Sequence, residues 1–403
     1  MKIIYLTNLF SNSCGSEYVF WIYAKYMVLE GHEVVVVCYR AEEEAIKNAE
    51  NLVHDEKLHI YQLRPNIIHR GVLFTDIHSN FSYISEGLSI LKELCKNHDI
   101  TIIHSNTYIP VLLGFMISKF FRKPHFLTLH DVASIEGTRF IYRWFREDNA
   151  AFAAGAKSIF AKAYEQFILS LPYNGIIVPS LTTLEDLRQL RFSKKNIFVL
   201  PNAIDPSLYD QEHVSNITYE PIILYIGRLV WYKNLDVLFL AFKQVSKTYS
   251  NAKLIIIGDG PSKTRYEQLA IRLGLKNRIE FLGKVPGRIR DYWLSRATAI
   301  VNPSLYEGFG LTILEAWLFK KPIIVSNIKP LSDIIKDGGG FTFPPNDPRT
   351  LAEKLILLLS DKYTSQEVGE RGYRKFEAYY RPDKVTSTLS KIYRSFLEQE
   401  TSS

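Results

Sequence analysis

The chain has 403 residues, of which 47% are hydrophobic and 23% are charged, a composition typical of a soluble globular protein with two or three domains. Its net charge of +7 lies mostly beyond residue 200, because residues 1–200 carry 21 Lys and Arg against 20 Asp and Glu; this dilute excess argues against a nucleic-acid-binding protein. Three scattered cysteines predict neither a disulfide framework nor a metal site, and no apolar run reaches the roughly 18 residues that span a membrane.

The first half of the chain alternates buried strands with apolar helices. The apolar start is too short for a secretory signal and predicts a first strand, so we expect a reduced, cytoplasmic protein. A glycine loop and a helix over residues 18–29 follow, and then a Val-rich strand, which together make a βαβ unit of a parallel sheet. The predicted strands are residues 3–6, 33–38, 100–104, 125–129, 158–161, 175–179 and 197–200.

A second α/β pattern begins at residue 221, after a polar stretch over residues 205–220 that we interpret as a linker. The predicted strands are 221–226, 253–257, 279–282, 299–301 and 322–326, with helices near 235–249 and 262–273 and a third that carries Glu315. A last helix over residues 385–397 follows a break at Arg381-Pro382. The chain therefore predicts two doubly wound domains that bind ligand at the carboxyl ends of their strands.

Two carboxylates flank the turn between the predicted strand 299–301 and the next helix. Glu307 lies on the turn, and Glu315 lies about one turn inside the helix. Glycines let the backbone approach a ligand closely, and free N–H groups at the helix start favour an anion. Carboxylates bind sugar hydroxyls strongly. The pattern predicts a clamp for a nucleotide sugar, formed by Glu307, Gly308, Phe309, Gly310, Leu311, Thr312 and Glu315.

Two cations follow the strand 221–226. Arg228 comes directly after the strand and Gly227, and Lys233 stands at the start of the next helix. An arginine fork and a lysine point charge at one sheet edge can hold a diphosphate. The alternative is that Lys233 is a solvated helix-start residue and that Arg228 pairs with a carboxylate.

Two shorter patterns remain open on their residues alone. Gly258 and Gly260 form a G-x-G turn after a strand, but a nicotinamide fingerprint needs a third glycine where the chain has Lys263. His130 and Asp131 follow the strand 125–129, where a histidine is more often structural and an aspartate can cap a turn.

The run from Glu307 to Glu315 resembles the E-x7-E signature of the GT4-type retaining glycosyltransferases, which have the two-domain GT-B fold. Arg228 and Lys233 are similar to the G-R-x(4)-K element of that family, and Gly258 and Gly260 to its turn beside the nucleotide pocket.

Further motifs resemble the family but depart from it. The segment at Asn202 matches P-N-G-x-D with alanine in place of glycine, and His130 matches the histidine that contacts the donor sugar. Gly15 and Ser16 occupy the acceptor or phosphate loop, where the family usually has two glycines, so ligand approach differs there.

This resemblance implies an α/β, GT-B architecture of two Rossmann-like domains that face a cleft. Residues 1–204, completed by the helix 383–403, would bind the acceptor, and residues 205–382 the nucleotide-sugar donor. His130 and Glu307 would be catalytic; Glu307 would face the sugar hydroxyls and Glu315 the ribose. The implied reaction moves a hexose-like sugar to a glycan or lipid-linked acceptor with retention, and needs no cofactor other than the donor as co-substrate.

Alternative functions remain open. The chain has no Asp-x-Asp motif for a metal-dependent transferase, no P-loop and no nucleophile elbow, so we expect no metal site. A sugar-nucleotide epimerase or phosphorylase of the same fold, or a non-catalytic sugar-nucleotide sensor, would use similar residues.

Two basic and aromatic segments, residues 111–123 and 139–146, suggest a further partner. If they face outward together, six cations lie beside exposed aromatics and favour an anionic membrane surface, which would make the protein peripheral on the inner face of a membrane. The alternative is that both segments are helices packed on the sheet.

Overall fold

A computed structural model describes residues 1–13, 15–50, 57–63, 77–97, 100–106, 109–147, 154–190, 192, 196–211 and 221–401. The chain divides into two compact units, Met1–Ala203 with Pro382–Ser403, and Ile204–Arg381. The boundaries predicted from the sequence are residues 204/205 and 382/383. No helix in these ranges is both long and apolar enough to cross a lipid bilayer.

The first unit contains a parallel sheet whose seven described strands run in the order β3-β2-β1-β4-β5-β6-β7. Helices alternate with the strands along the chain, as in a doubly wound fold. The elements are β1 (Lys2–Phe10), α1 (Gly15–Leu29), β2 (Glu33–Ala41), α2 (Glu43–Glu50), β3 (Leu58–Gln62), α3 (Ile77–Asn97), β4 (Ile102–Ser105), α4 (Ile109–Phe121), β5 (His125–Thr128), α5 (Thr138–Glu147), α6 (Ala154–Ser170), β6 (Gly175–Val178), α7 (Leu181–Gln189) and β7 (Ile197–Val199).

The second unit repeats this plan with six strands among the described residues, in the order β10-β9-β8-β11-β12-β13. The elements are β8 (Ile222–Ile226), α8 (Leu235–Thr248), β9 (Lys253–Ile257), α9 (Lys263–Arg272), β10 (Ile279–Gly283), α10 (Gly287–Arg296), β11 (Ala299–Asn302), α11 (Leu311–Leu318), β12 (Ile323–Ser326), α12 (Leu331–Ile335), β13 (Gly340–Phe343), α13 (Pro348–Ser360) and α14 (Lys362–Tyr379). The prediction of two Rossmann-like units is confirmed.

Local signals in the sequence explain where these elements form. The strands are apolar and rich in β-branched residues because both faces of each parallel sheet are buried; Val34 to Val37 in β2 are at most 1% exposed. Two helices begin at side-chain caps: Asp347 accepts hydrogen bonds from the backbone of Arg349 and Thr350 at α13, and Asp361 from Thr364 at α14.

The last helix, α15 (Pro382–Thr401), belongs to the first unit and packs against α1. The Tyr393 hydroxyl is hydrogen-bonded to Nδ1 of the buried His104, whose Nε2 lies 2.8 Å from the Thr128 hydroxyl. Ser390 lies 3.1 Å from Nε2 of His32. These bonds tie the carboxyl-terminal helix to strands β4 and β5 and to the turn before β2.

One predicted strand is wrong. Residues 158–161 lie inside α6, where Ile159 and Phe160 are exposed on the outer face. A short apolar run does not distinguish a strand from a helix, and the alanine-rich surroundings favour the helix. Within the predicted linker, Pro206–Leu208 form a 3-10 turn. The later residues of the linker, 212–220, lie outside the described ranges.

Candidate functional site

Glu307 lies in the turn after β11 and is surrounded by donors. Its Oε1 atom accepts hydrogen bonds from Asn302 Nδ2 at 3.1 Å and from the Ser304 hydroxyl at 3.0 Å. The same oxygen forms an ion pair with the ammonium group of Lys233, and both side chains are about 15% exposed. The carboxylate is therefore held in place beside a cation.

The turn continues into α11 through a glycine that the backbone requires. Gly310 has a φ of +100°, and a Cβ there would lie 2.5 Å from Cδ2 of Leu331. Gly310 is the N-cap residue, and no side chain in the described ranges caps the helix. Leu311 and Thr312 therefore open the helix with uncapped N–H groups, and this positive end favours an anion.

Glu315 lies in α11, one turn after Leu311, and is almost completely buried. Its Oε1 accepts a hydrogen bond from the Tyr209 hydroxyl at 3.1 Å, and the Arg290 guanidinium lies 3.7 Å away. Burial raises the pKa of the Glu315 carboxyl, whereas the charge of Arg290 and the Tyr209 bond oppose that rise. Arg290 in turn lies 4.1 Å from the centre of the Tyr209 ring and donates to Asp291 at 2.9 Å.

Arg228 is exposed in the loop after β8, and no carboxylate pairs with it in the described part of the chain. Its backbone carbonyl accepts a hydrogen bond from the Tyr225 hydroxyl at 2.9 Å, which fixes the loop beneath the side chain. The alternative of an Arg228–carboxylate pair is thus not observed. Lys233 is not a solvated helix-start residue either, because it pairs with Glu307.

Gly258 and Gly260 support this loop through backbone packing. A Cβ on Gly258 would lie 1.9 Å from the carbonyl oxygen of Gly227, and one on Gly260 would lie 2.4 Å from that of Leu229. The Leu229 N–H also donates to the Asp259 carbonyl at 2.9 Å. The G-x-G turn therefore positions the segment that carries Arg228, which is a structural reason for both glycines.

In the first unit, His130 follows β5 and is half-buried. Its Nε2 lies 2.9 Å from Oδ1 of Asn106, the residue after β4. Burial lowers the pKa of His130 to about 4, so the ring is neutral at pH 7.

The remaining candidates of the first unit lie at two other places. Gly15 begins α1, and the Ser16 hydroxyl donates to the Glu17 carboxylate at 2.5 Å. Burial raises the pKa of Glu17. Asn202 is buried next to the boundary between the units and belongs to the first one. Its predicted role in donor binding stays a prediction.

The second unit thus brings Lys233 into contact with Glu307, and it places the second carboxylate in the helix that follows. Four contacting residues were not predicted from the sequence: Asn302, Ser304, Tyr209 and Arg290. Asn302 and Ser304 follow β11 directly, and that position at a strand end was a usable signal. Tyr209 and Arg290 carried none, since they reach Glu315 only through the fold. No group of three or more His, Cys, Asp or Glu side chains suited to a metal occurs among the residues described.

Two family models match the chain in succession. One, described as Glycosyltransferase Family 4, matches residues 14–208, and the other, described as Glycosyl transferases group 1, matches residues 210–375. Each model corresponds closely to one α/β half of the chain, and together they cover nearly all of it.

Curated relatives align over different shares of their length. The chain is 30% identical over 180 residues to an uncharacterized glycosyltransferase of Methanocaldococcus jannaschii, covering 44% of this chain and 46% of that protein. It is 24% identical over 366 residues to the phosphatidylinositol N-acetylglucosaminyltransferase gpi3 subunit of Schizosaccharomyces pombe, covering 85% of this chain and 77% of that protein. The chain thus spans about half of the first relative.

Solved structures share the fold over almost the whole chain. Sucrose-phosphate synthase from Thermosynechococcus elongatus matches with a TM-score of 0.77 at 19% identity, over 99% of both chains. The Anabaena protein HepE in complex with UDP-glucose matches with a TM-score of 0.72 at 17% identity, over 98% of this chain and 100% of that one.

Proposed function

Because the chain belongs to the family 4, group 1 glycosyltransferases, we propose that it moves a hexose-like sugar from a nucleotide diphosphate-sugar to a glycan or lipid-linked acceptor. The reaction retains the anomeric configuration and needs no metal ion. The observation that supports this proposal best is the arrangement after β11, where Glu307 is paired with Lys233 and the uncapped start of α11 follows.

Each part of that arrangement suits one part of a nucleotide sugar. Glu307 has a second oxygen, Oε2, for sugar hydroxyls, while Oε1 is held by Lys233, Asn302 and Ser304. Lys233, the exposed Arg228 and the start of α11 supply positive charge for a diphosphate. This charge would stabilise the leaving diphosphate in place of a metal ion. Glu315 would accept a ribose hydroxyl from inside α11.

We propose that the first unit binds the acceptor and that this unit rests on an anionic membrane surface. On α5, Arg139, Arg143 and Arg146 lie at helical spacing on the exposed side, opposite the buried Phe140 and Ile141. Beside α5, α6 exposes Ile159, Phe160 and Phe167, which are 66%, 56% and 51% exposed. A relative named as a phosphatidylinositol N-acetylglucosaminyltransferase is consistent with a lipid acceptor. We name these exposed side chains of both helices the α5–α6 face.

The other predicted segment, α4, supports both earlier interpretations. Val111, Leu113 and Ile117 pack on the sheet, as the packing alternative requires, whereas Met116 and Phe120 are exposed. The ammonium groups of Lys119 and Lys92 lie over the rings of Phe115 and Phe120, at 5.9 and 5.5 Å from the ring centres. The α4 helix is therefore a weaker part of the proposed membrane surface than the α5–α6 face.

The function is tested with the full chain and a panel of UDP-, GDP- and TDP-sugars in EDTA. Thermal unfolding identifies the donor, because a ligand at 100 times its Kd stabilises a protein by about 2.7 kcal/mol. Nucleoside diphosphate release with and without glycan or polyprenyl phosphate acceptors then measures transfer, and proton NMR of the product reports the anomeric configuration. An inverted product, or turnover only with added metal, would contradict the proposed mechanism. Detection of epimerised or phosphorolysed donor would instead favour the epimerase or the phosphorylase function.

Two variants test the diphosphate assignment. Arg228→Ala and Lys233→Ala should each weaken UDP binding by about ten- to a hundred-fold, since a hydrogen bond to a charged group contributes about 1.5–3 kcal/mol. Lys243→Ala, which removes an exposed cation from α8, is the matched control. Lys233→Ala should also lower thermal stability, because it leaves Glu307 without its cation, whereas Arg228→Ala should not. Unchanged UDP affinity in both variants would remove these residues from the site.

A further inference from the structure

Three polar side chains stand side by side on three neighbouring strands of the first unit, at the level where β4 and β5 end. Thr7 lies in β1, Asn106 directly follows β4 and His130 follows β5. Strand β4 pairs with both β1 and β5, so these residues occupy adjacent positions along the sheet edge. Thr7 and Asn106 are buried, at 0% and 3% exposure, and His130 is half-buried.

Their hydrogen bonds have a defined direction. The Thr7 hydroxyl donates to the carbonyl oxygen of Leu9 at 3.2 Å, so its proton is used and its oxygen must accept. The amide nitrogen of Asn106 donates to that oxygen at 3.1 Å. The amide oxygen of Asn106 therefore faces His130, 2.9 Å from Nε2. Since an amide oxygen only accepts, Nε2 of His130 must carry a proton.

This direction decides what the other ring nitrogen can do. The pKa of His130 is lowered by burial to about 4, so near neutral pH the ring has one proton, and Asn106 holds it on Nε2. Nδ1 is then an acceptor. Among the described residues it has no hydrogen-bond partner, and the half-buried ring leaves it within reach of a ligand.

We propose that Asn106 is a positioning residue, held by Thr7, that fixes His130 in the Nε2–H tautomer so that Nδ1 accepts a hydrogen bond from a substrate hydroxyl. The substrate part of this proposal rests on the proposed glycosyltransferase function. A carboxylate or phosphate oxygen at the same place would meet a lone pair and be repelled. We call the hydrogen-bonded chain Thr7–Asn106–His130 the relay. The relay therefore selects a neutral sugar hydroxyl over an anionic group at that position.

The tautomer is tested by NMR on the full-length chain labelled with ¹⁵N-histidine at pH 7.5, with His130→Gln to assign the signals. We expect a protonated Nε2 and an unprotonated Nδ1. In Asn106→Asp the carboxylate beside the ring should raise the pKa of His130, so that both nitrogens become protonated. A proton on Nδ1 in the unmodified protein, or no change in Asn106→Asp, would overturn the proposal.

Kinetics with UDP-glucose as the donor test the effect on the substrate. Asn106→Asp should lower kcat/KM near pH 7. As the pH rises and His130 loses its extra proton, kcat/KM should recover. A residue that only supports the fold would not produce this pH-dependent recovery. Thr7→Val cannot accept a hydrogen bond from Asn106, so its kcat/KM should fall by about five- to ten-fold. Thr7→Ser keeps the hydroxyl and should retain most of the kcat/KM.

Asn174→Ala is the matched control. Asn174 binds the backbone of His125 at the opposite end of β5, so its loss should leave both the His130 spectrum and the pH profile unchanged. An equal pH shift in Asn174→Ala and Asn106→Asp would overturn the relay. If the chain transfers no sugar at all, the proposed function fails, and the NMR spectra still decide the tautomer independently.

Discussion

Glu307 and Glu315 place two carboxylates in different surroundings, and their replacement should separate turnover from nucleotide binding. Glu307→Gln keeps the shape but removes the charge that pairs with Lys233, so kcat should fall by about a hundred-fold. UDP affinity should stay within about three-fold, as measured by calorimetry. Glu315→Gln should instead weaken UDP binding by about ten- to a hundred-fold, because it removes a charged acceptor for the ribose.

Two variants serve as controls for these glutamates. Tyr209→Phe keeps the Glu315 carboxylate and removes only one neutral donor, so UDP affinity should change by less than about ten-fold. Glu353→Gln removes a carboxylate that is 60% exposed on α13 and should change neither quantity. Equal losses of UDP affinity in Glu307→Gln and Glu315→Gln would contradict the division of roles.

Gly258 offers a second prediction at the scale of single residues. Gly258→Ala adds a Cβ 1.9 Å from the Gly227 carbonyl oxygen and should displace the loop that carries Arg228. We expect weaker UDP binding together with lower thermal stability. Gly274→Ala is the control: Gly274 also has a positive φ, of +75°, but nothing lies within 4 Å of its Cβ position. Gly274→Ala should lower the free energy of unfolding by about 1–2 kcal/mol and leave UDP affinity unchanged.

Among the elements, the α5–α6 face predicts membrane binding that depends on charge. The full chain should sediment with anionic vesicles at low salt, less at high salt, and little with neutral vesicles. Arg139→Gln with Arg143→Gln should weaken binding by about thirty-fold, since each basic residue contributes about 1 kcal/mol near an anionic surface. Phe160→Ser should weaken it as well.

The matched control for this face lies in the other unit. Lys243→Gln with Lys247→Gln removes the same charge from the exposed side of α8 and should leave vesicle binding unchanged. If the protein stays in the supernatant with anionic vesicles at low salt, the face is not a membrane surface, and a soluble acceptor replaces the lipid-linked one in the proposal.

How well an element can be predicted depends on the kind of signal that its residues carry. The β11–turn–α11 segment was predicted because a β-branched strand, two glycines and an apolar helix coincide within 20 residues. In α6 the strand was predicted from the short run 158–161 alone. Its two large apolar side chains, Ile159 and Phe160, are exposed on the helix, and so short a run does not distinguish a strand from a helix. Strands β3 and β13 and helices α3, α13 and α14 were among the elements that were not predicted.

Contacts between distant residues account for the part of the candidate site that carried no local signal. Lys233 and Glu307 are 74 positions apart, and Tyr209 and Glu315 are 106 positions apart. Hydrophobic periodicity and motif spacing report local structure, so they place each residue at a strand end without showing which side chains meet. The resemblance to a family supplied roles for single residues and carried no information on the Thr7–Asn106–His130 relay.

At the scale of the whole molecule, the histidines predict unequal acid stability of the two units. His104, His125, His130 and His32 all lie in the first unit, and burial lowers the pKa of each, to about 3 for His125 and about 4 for His130 and His32. The unfolded chain binds protons at these sites from about pH 6.5, so their stabilising effect is complete above that pH and is lost as pH falls.

Carboxylates set the pH window in which this effect is visible. Burial raises the pKa of Glu17 and Glu165, which opposes the histidines until the unfolded carboxyls are protonated as well, below about pH 4.5. Between about pH 4.5 and 4, each of these buried histidines should cost up to about 1.4 kcal/mol per pH unit, and below about pH 4 only His104 and His125 continue to contribute. Hydrogen exchange at pH 4 should therefore show β4 and β5 losing protection before β8 and β9. Earlier loss in β8 and β9 would contradict this order.

The place of α15 affects how the protein is made. Residues 204–381 form one compact unit that interrupts the other, and the first unit is completed only by the segment that begins at Pro382. A ribosome therefore releases all of the second unit before it delivers Tyr393, the partner of His104 in the first core. Although domains generally fold in the order of synthesis, the core of the amino-terminal unit here stays incomplete until the whole of the interrupting unit has been synthesised.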